Sequence, residues 1–135
     1  MKKLLYLSLL LTIAFQVKSQ AATFPETNPP QQKIVRPTVA MTNDQAKDIL
    51  NKMRQKNSDA EKITVLKAGV KDNGITVAQL TTLLNQFAED SSKLECAEFA
   101  YPYVTDYRSF LKLIDLFNSE SKKDDLDAFV RKYKG

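Results

Sequence analysis

The sequence contains no histidine, no tryptophan and a single cysteine, Cys96. Without His, both the usual acid–base side chain of neutral pH and the commonest zinc ligand are missing. One thiol cannot close a disulfide within the chain. Glycine is scarce too, with three in 135 residues, and four of the five prolines fall between residues 20 and 41. Beyond residue 41 little remains that would break a helix. On residue types alone the assignments are no catalytic set, no metal site and no cofactor.

What is present suits a folded core. Hydrophobic residues make up 43% of the chain and charged residues 27%, a composition unlike that of disordered or collagen-like sequences. The length allows one domain of ordinary size. Residues 1–19 begin Met1-Lys2-Lys3, continue through a mainly apolar run of 12 from Leu4 to Phe15, and end Gln16-Val17-Lys18-Ser19. A basic start, a short apolar stretch and small residues at Val17 and Ser19 predict a secretory signal peptide cut before Gln20. Cuts after Ala21 or Ala22 are the alternatives. Twelve residues fall short of the roughly 20 needed to span hydrocarbon, so no stable membrane insertion is expected after cleavage. The expected location is exported, either periplasmic or extracellular.

The formal charge of +4 suggests nucleic acid only until it is divided along the chain. Lys2, Lys3 and Lys18 belong to the leader, and residues 42–135 carry 15 basic against 15 acidic side chains. A neutral domain of interleaved signs lacks a phosphate-tracking surface, and no nucleic-acid partner is expected. Residues 20–41, with Pro25, Pro29, Pro30 and Pro37, read as an extended, mobile linker. A plain spacer fits better than a docking ligand, because no PxxP repeat is sustained.

From Thr42 onward the apolar spacing becomes helical. Thr42 or Asn43 caps a first helix carrying Ala46, Ile49, Leu50 and Met53. Ser58 caps a second with Ile63, Leu66 and Val70, stopped near Gly69 by Asp72-Asn73-Gly74. Thr76 opens a third with Val77, Leu80, Leu83, Leu84 and Phe87. Ser92-Lys93-Leu94-Glu95 reads as a capping box for a fourth, whose wide apolar arc (Leu94, Cys96, Ala97, Phe99, Ala100, Tyr101, Tyr103) predicts a central position. Pro102 should end or bend it. Asp106 can cap a fifth helix with Phe110, Leu113, Ile114 and Phe117, and the last starts near Ser121 with Leu126, Phe129, Val130 and Tyr133.

The pattern repeats. Ala46, Ile49, Leu50 and Met53 align with Leu80, Leu83, Leu84 and Phe87, which align with Phe110, Leu113, Ile114 and Phe117, at spacings of 34 and 30 residues. Periods of that size belong to helix-pair units. The expected fold is all-α: about six short helices as three stacked helix-pair units, following the signal peptide and linker. A generic six-helix bundle is the alternative.

The run from Gln79-Leu80 to Phe87, then Asp90-Ser91-Ser92-Lys93-Leu94, Ala97, Ala100-Tyr101-Pro102-Tyr103-Val104, Asp106 and Phe110 to Phe117, resembles a bacterial family, the domain of unknown function 4476. The resemblance covers most of residues 45–133 and is most specific from Ala100 to Asp106. Ala88-Glu89 departs from it, where the family tends toward a further apolar residue. The resemblance implies a small exported or envelope protein and carries no activity.

Three of the five tyrosines lie within ten residues: Tyr101, Tyr103 and Tyr107. With Arg108 they form the candidate binding set, since rings with a polar tip suit partly buried contact surfaces. The competing reading buries Tyr101 and Tyr103 and leaves Pro102 to shape the turn; ring exposure decides between them. Asp106 fits a cap, and Asp124, Asp125 and Asp127 fit a solvated first turn, because no glycine-bearing calcium loop surrounds them. Cys96, with no base available and a crowded position, fits a core residue. Asp90, Glu95 and Glu98 could be posed as glycosidase carboxylates, but their spacing does not separate their roles. The expected function is a non-enzymatic module making protein–protein contact in the cell envelope, with an envelope protein or peptide of unknown identity as partner. The alternative is a hydrolase or inhibitor acting on envelope polymers through carboxylates.

Overall fold

A computed structural model describes residues 33–133. The expected leader, and the expected linker as far as residue 32, lie outside the described residues.

Among the described residues there are five α-helices: α1 (Asn43–Arg54), α2 (Asp59–Val70), α3 (Val77–Leu84), α4 (Asp90–Ala100) and α5 (Glu120–Lys132). Two 3₁₀ segments, Tyr101–Tyr103 and Tyr107–Leu116, lie between α4 and α5. The starts of the first three helices are written locally. Thr42, Ser58 and Thr76 each accept a bond from the backbone N–H three residues on, and the side chains of Gln45, Glu61 and Gln79 accept one from the cap N–H in turn. Each pair satisfies two amides that a helix start leaves free.

Two expected helix starts are corrected. Ser92 does not open α4; the helix begins at Asp90, and Ser92 is buried within its first turn. Nor does Asp106 cap the segment it precedes. Its Oδ1 accepts the Val77 N–H at 2.8 Å, closing the start of α3 instead. The segment after Asp106 is also 3₁₀ rather than α. Tyr107, Phe110, Leu113 and Leu116 recur every third residue, a spacing that lines up on one ridge at three residues per turn; Phe110 and Leu113 are fully buried.

The three helix-pair units stack. Unit one is α1–α2, unit two α3–α4, and unit three the Tyr107–Leu116 segment with α5. Their first helices form one layer and their second helices another, with α4 touching α2, α3 and α5. The central place expected for α4 is the observed one, and Cys96, Ala97 and Ala100 are wholly buried there. Immediately before each unit the backbone forms a single parallel rung with its neighbour: Ala40 with Gly74, and Ile75 with Val104. At the first rung the chains come so close that a Cβ on Gly74 would lie 1.9 Å from the Val39 carbonyl oxygen. Glycine is therefore required there for space rather than for its backbone angles.

The second layer carries a repeated fastening. Asp59, first residue of α2, accepts the N–H groups of Ala88 (3.3 Å) and Glu89 (3.0 Å) at the start of α4. Asp90, first residue of α4, accepts those of Asn118 and Ser119, both at 2.8 Å, at the start of α5. Three residues on, Lys62 donates to the Gln86 carbonyl and Lys93 to the Leu116 carbonyl, each at 2.9 Å. Each second helix thus holds the turn of the following unit by an acid and a lysine. The third copy, Glu120 and Lys123, pairs with itself at 2.6 Å.

The outward face of α5 differs from its predecessors. Leu66 and Val70 of α2 correspond to Ala97 and Tyr101, all buried; the matching α5 positions are Asp127 and Arg131, bonded to each other at 2.6 Å. A polar outer face is how stacked repeats close off an end.

Candidate functional site

Pro102 shapes the site. With no N–H to donate, it cannot continue α4, which ends at Ala100 and tightens into the 3₁₀ turn Tyr101–Tyr103. That turn swings Tyr101 under the third unit. Its ring is 2% exposed and lies edge-on to Phe110 at 4.7 Å and to Phe129 at 5.5 Å, contacts worth about 1 kcal/mol each beyond the area they bury.

The candidate residues separate by exposure. Tyr101 is core. Tyr103 is half-buried, its ring 5.8 Å from Phe99. Tyr107 is 41% exposed, and Arg108 is exposed. Tyr133, which the periodicity places only on a helix stripe, joins the same neighbourhood with its ring 5.7 Å from Tyr101, and is 42% exposed.

What brings Tyr101 and Tyr107 to one place is a residue from the expected linker. The Arg36 guanidinium carbon lies 4.2 Å from the Tyr101 ring centroid and 4.2 Å from that of Tyr107. Its Nη1 donates to the Tyr101 carbonyl and more weakly to the Val104 carbonyl at 3.5 Å. Two π-faces and two carbonyls hold one cation, each ring worth about 1 kcal/mol at a partly buried position. Burial alternates along the arm: Ile34 and Arg36 turn inward, while Lys33 and Val35 are exposed. That is the two-residue period of an extended segment lying on a surface. Sequence reasoning missed Arg36, and the only available signal was an isolated basic residue between Val35 and Pro37.

Most of the other candidates are occupied by structural tasks. The Cys96 thiol is wholly buried, and burial pushes its pKa up to about 12, far from the thiolate a nucleophile needs. Among the carboxylates, Asp90 titrates below its usual range, chiefly because Ser119 donates to it, with Lys93 and Asn118 adding to the effect. Burial pushes Asp59 up, but the Glu89 and Ala88 N–H groups and the Ser92 hydroxyl outweigh it, and its pKa is lowered. Ser92 therefore supports the acid that closes its own helix start from another unit. Glu95 is bonded to Lys67 at 2.5 Å. Glu98 is raised, first by burial and then by Asp125 across the α4–α5 interface, while Asp125 is itself bonded to Lys122 at 3.0 Å. Among the described residues no cluster of three or more acidic or thiol side chains could hold a metal ion. A shallow recess between α1 and the α2–α3 turn contains Asp44 and Asp48, with Asp48 tied to Lys52 at 2.7 Å.

In comparison with known families, the model of a domain of unknown function (DUF4476) matches residues 40–130, from the first rung into α5. Neither a curated protein nor a solved structure matches the chain.

Proposed function

From the premise that the chain belongs to the DUF4476 family, we propose that it is an exported, non-enzymatic helical module making protein–protein contact in the cell envelope. Its contact surface is the turn bearing Tyr101, Tyr103, Tyr107 and Arg108, extended by Tyr133. One observation carries this reading. The four large hydrophobic side chains left exposed among the described residues are Val35, Val39, Tyr107 and Tyr133; Tyr107 and Tyr133 neighbour Tyr101, the first through Arg36 and the second by ring contact, and Val35 precedes Arg36 on the arm. Apolar exposure gathered at one place marks an interaction surface more than scattered exposure does. The basic start, short apolar run and small residues of 1–19 support export.

The hydrolase alternative needs two carboxylates with separated pKa values facing a cleft. Asp59, Asp90 and Asp106 are instead committed to helix starts, and Glu95 to Lys67.

Cross-linked pull-down from an envelope extract tests the contact, with wild type compared against Tyr103→Ala and Tyr107→Ala. A partner retained by wild type and lost by either folded variant supports the reading. Equal retention by both variants moves the contact away from this turn. Mass spectrometry of the product exported by a bacterial host tests the leader: the mass of a chain starting at Gln20, Ala22 or Thr23 is expected, and a full-length cytoplasmic product would refute export.

A further inference from the structure

The arm that carries Arg36 behaves as a ligand already bound. It enters the cage as an extended segment, places one planar cation against two rings, and has its charge met by backbone carbonyls rather than by an acid. We propose that the Tyr101–Tyr107 cage is a recognition site for an arginine on an extended peptide of the partner protein, with Arg36 as the resident competitor that such a peptide displaces. The inference rests on the contact surface proposed above and adds to it the chemistry of the ligand and a gate.

Three features select arginine. A guanidinium is flat and weakly hydrated, so it lies against aromatic faces at less desolvation cost than an ammonium. One guanidinium nitrogen, Nη1, donates to the carbonyls of both Tyr101 and Val104 while the plane of the group lies against the rings. The carbonyls come from the 3₁₀ turn forced by Pro102 and from Val104, whose backbone forms the second rung with Ile75, so both are positioned by the fold rather than by the arm. Specificity beyond the cation follows from the alternation of the arm: a side chain two residues earlier turns inward, as Ile34 does against the core.

The gate follows from tethering. The arm joins the domain at Ala40 and Met41, where Met41 donates to the Gly74 carbonyl at 2.6 Å, only four residues from Arg36. A short tether holds its ligand at an effective concentration in the millimolar range. A free peptide of the same chemistry therefore binds weakly until Arg36 is withdrawn.

Fluorescence anisotropy on the full chain tests this, with a labelled peptide of residues 33–40 as probe. Arg36→Ala is expected to bind the probe at least about tenfold more tightly than wild type does. The same variant should not bind a probe carrying Ala at the arginine, and adding Tyr107→Ala should abolish binding. Arg36→Gln serves as a second empty-cage chain, and circular dichroism verifies that each variant is helical. If the folded Arg36→Ala and Arg36→Gln chains bind the probe no better than wild type, or bind the alanine probe equally, the cage proposal is overturned. That result together with a pull-down partner still lost on Tyr107→Ala would leave the contact surface standing; loss of neither partner nor probe on Tyr107→Ala would remove both.

Discussion

The Asp90 carboxylate at the head of α4 accepts the Ser119 N–H at 2.8 Å, so the start of α5 is closed by a residue 29 positions upstream. The same carboxylate pairs with Lys93, which is only 8% exposed and also reaches Leu116. Asp90→Ala removes the cap of two amides and strands a nearly buried ammonium, and about 3 kcal/mol of stability should be lost. In thermal unfolding this corresponds to a fall of more than about 10 °C. Glu120→Ala, at the equivalent place in an exposed pair, should cost under about 0.5 kcal/mol. Equal losses at the two positions would mean that the fastening contributes nothing beyond a surface ion pair.

Acid should loosen the same joints. The pKa values of Asp59 and Asp90 are both lowered in the folded state, so their contribution is complete above the ordinary aspartate value near 4 and vanishes as the pH falls through the lower folded values. Glu98 runs the other way: raised by burial and by Asp125, it costs stability once ionised. Urea midpoints followed from pH 7 to pH 2 should drop steeply below 4 for wild type and less steeply for Asp59→Asn with Asp90→Asn. Glu98→Gln should raise the midpoint at neutral pH.

Cys96, with its thiol pushed up to about 12 by burial, should not react with an aromatic disulfide reagent at pH 8 in the native chain, and should react stoichiometrically in denaturant. Cys96→Ala should cost about 1 kcal/mol as a small cavity. Rapid native labelling would place the thiol at the surface.

Gly74→Ala would drive a methyl group into the Val39 carbonyl. The rung must part, at a cost of about 2 kcal/mol, and the arm that begins there should loosen. Tyr107 ring resonances, set by Arg36 in wild type, should shift toward those of the Arg36→Ala chain. An unchanged Tyr107 signal would separate the arm from the rung.

Replacing the polar pair on α5 by Asp127→Ala with Arg131→Val restores the apolar character of the matching α4 and α2 positions. Light scattering should then show concentration-dependent association, since an exposed stacking face invites another unit. A monomer at all concentrations would show that the face is not what limits the stack.

How much of this was legible depends on how far apart in sequence the partners are. Thr42, Ser58 and Thr76 carry their own returning side chains three residues on, and those starts could be read directly. The start of α4 could not, because Ser92-Lys93-Leu94-Glu95 has a correct local pattern while Asp59, far upstream, decides the matter from another unit. Asp106 misled for the same reason. The three-residue spacing of Tyr107, Phe110, Leu113 and Leu116 was visible, but Ile114 and Phe117 made an α-helical period equally available. The stacked units were legible from the 34- and 30-residue spacings, and the fastening also had a signal: an acid and a lysine three apart at Asp59, Asp90 and Glu120. At the site, the clustering of tyrosines was plain and their division between core and surface was not, because it depends on Pro102 and the third unit. Arg36 could not be found, since nothing local distinguishes it from a linker residue.

The fastenings of the second layer run in one direction. Asp59 exists before the turn at Ala88 and Glu89, and Asp90 before that at Asn118 and Ser119. Whenever the polypeptide acquires its shape from the amino end, whether on emerging from a ribosome or from a translocation pore, each acceptor is in place before the amides it must receive. Growth of the second layer then does not wait on an acceptor still to be delivered, whereas α3 in the first layer is closed only once Asp106 has arrived, and a chain interrupted after α4 would keep the Asp59 fastening between its first two units.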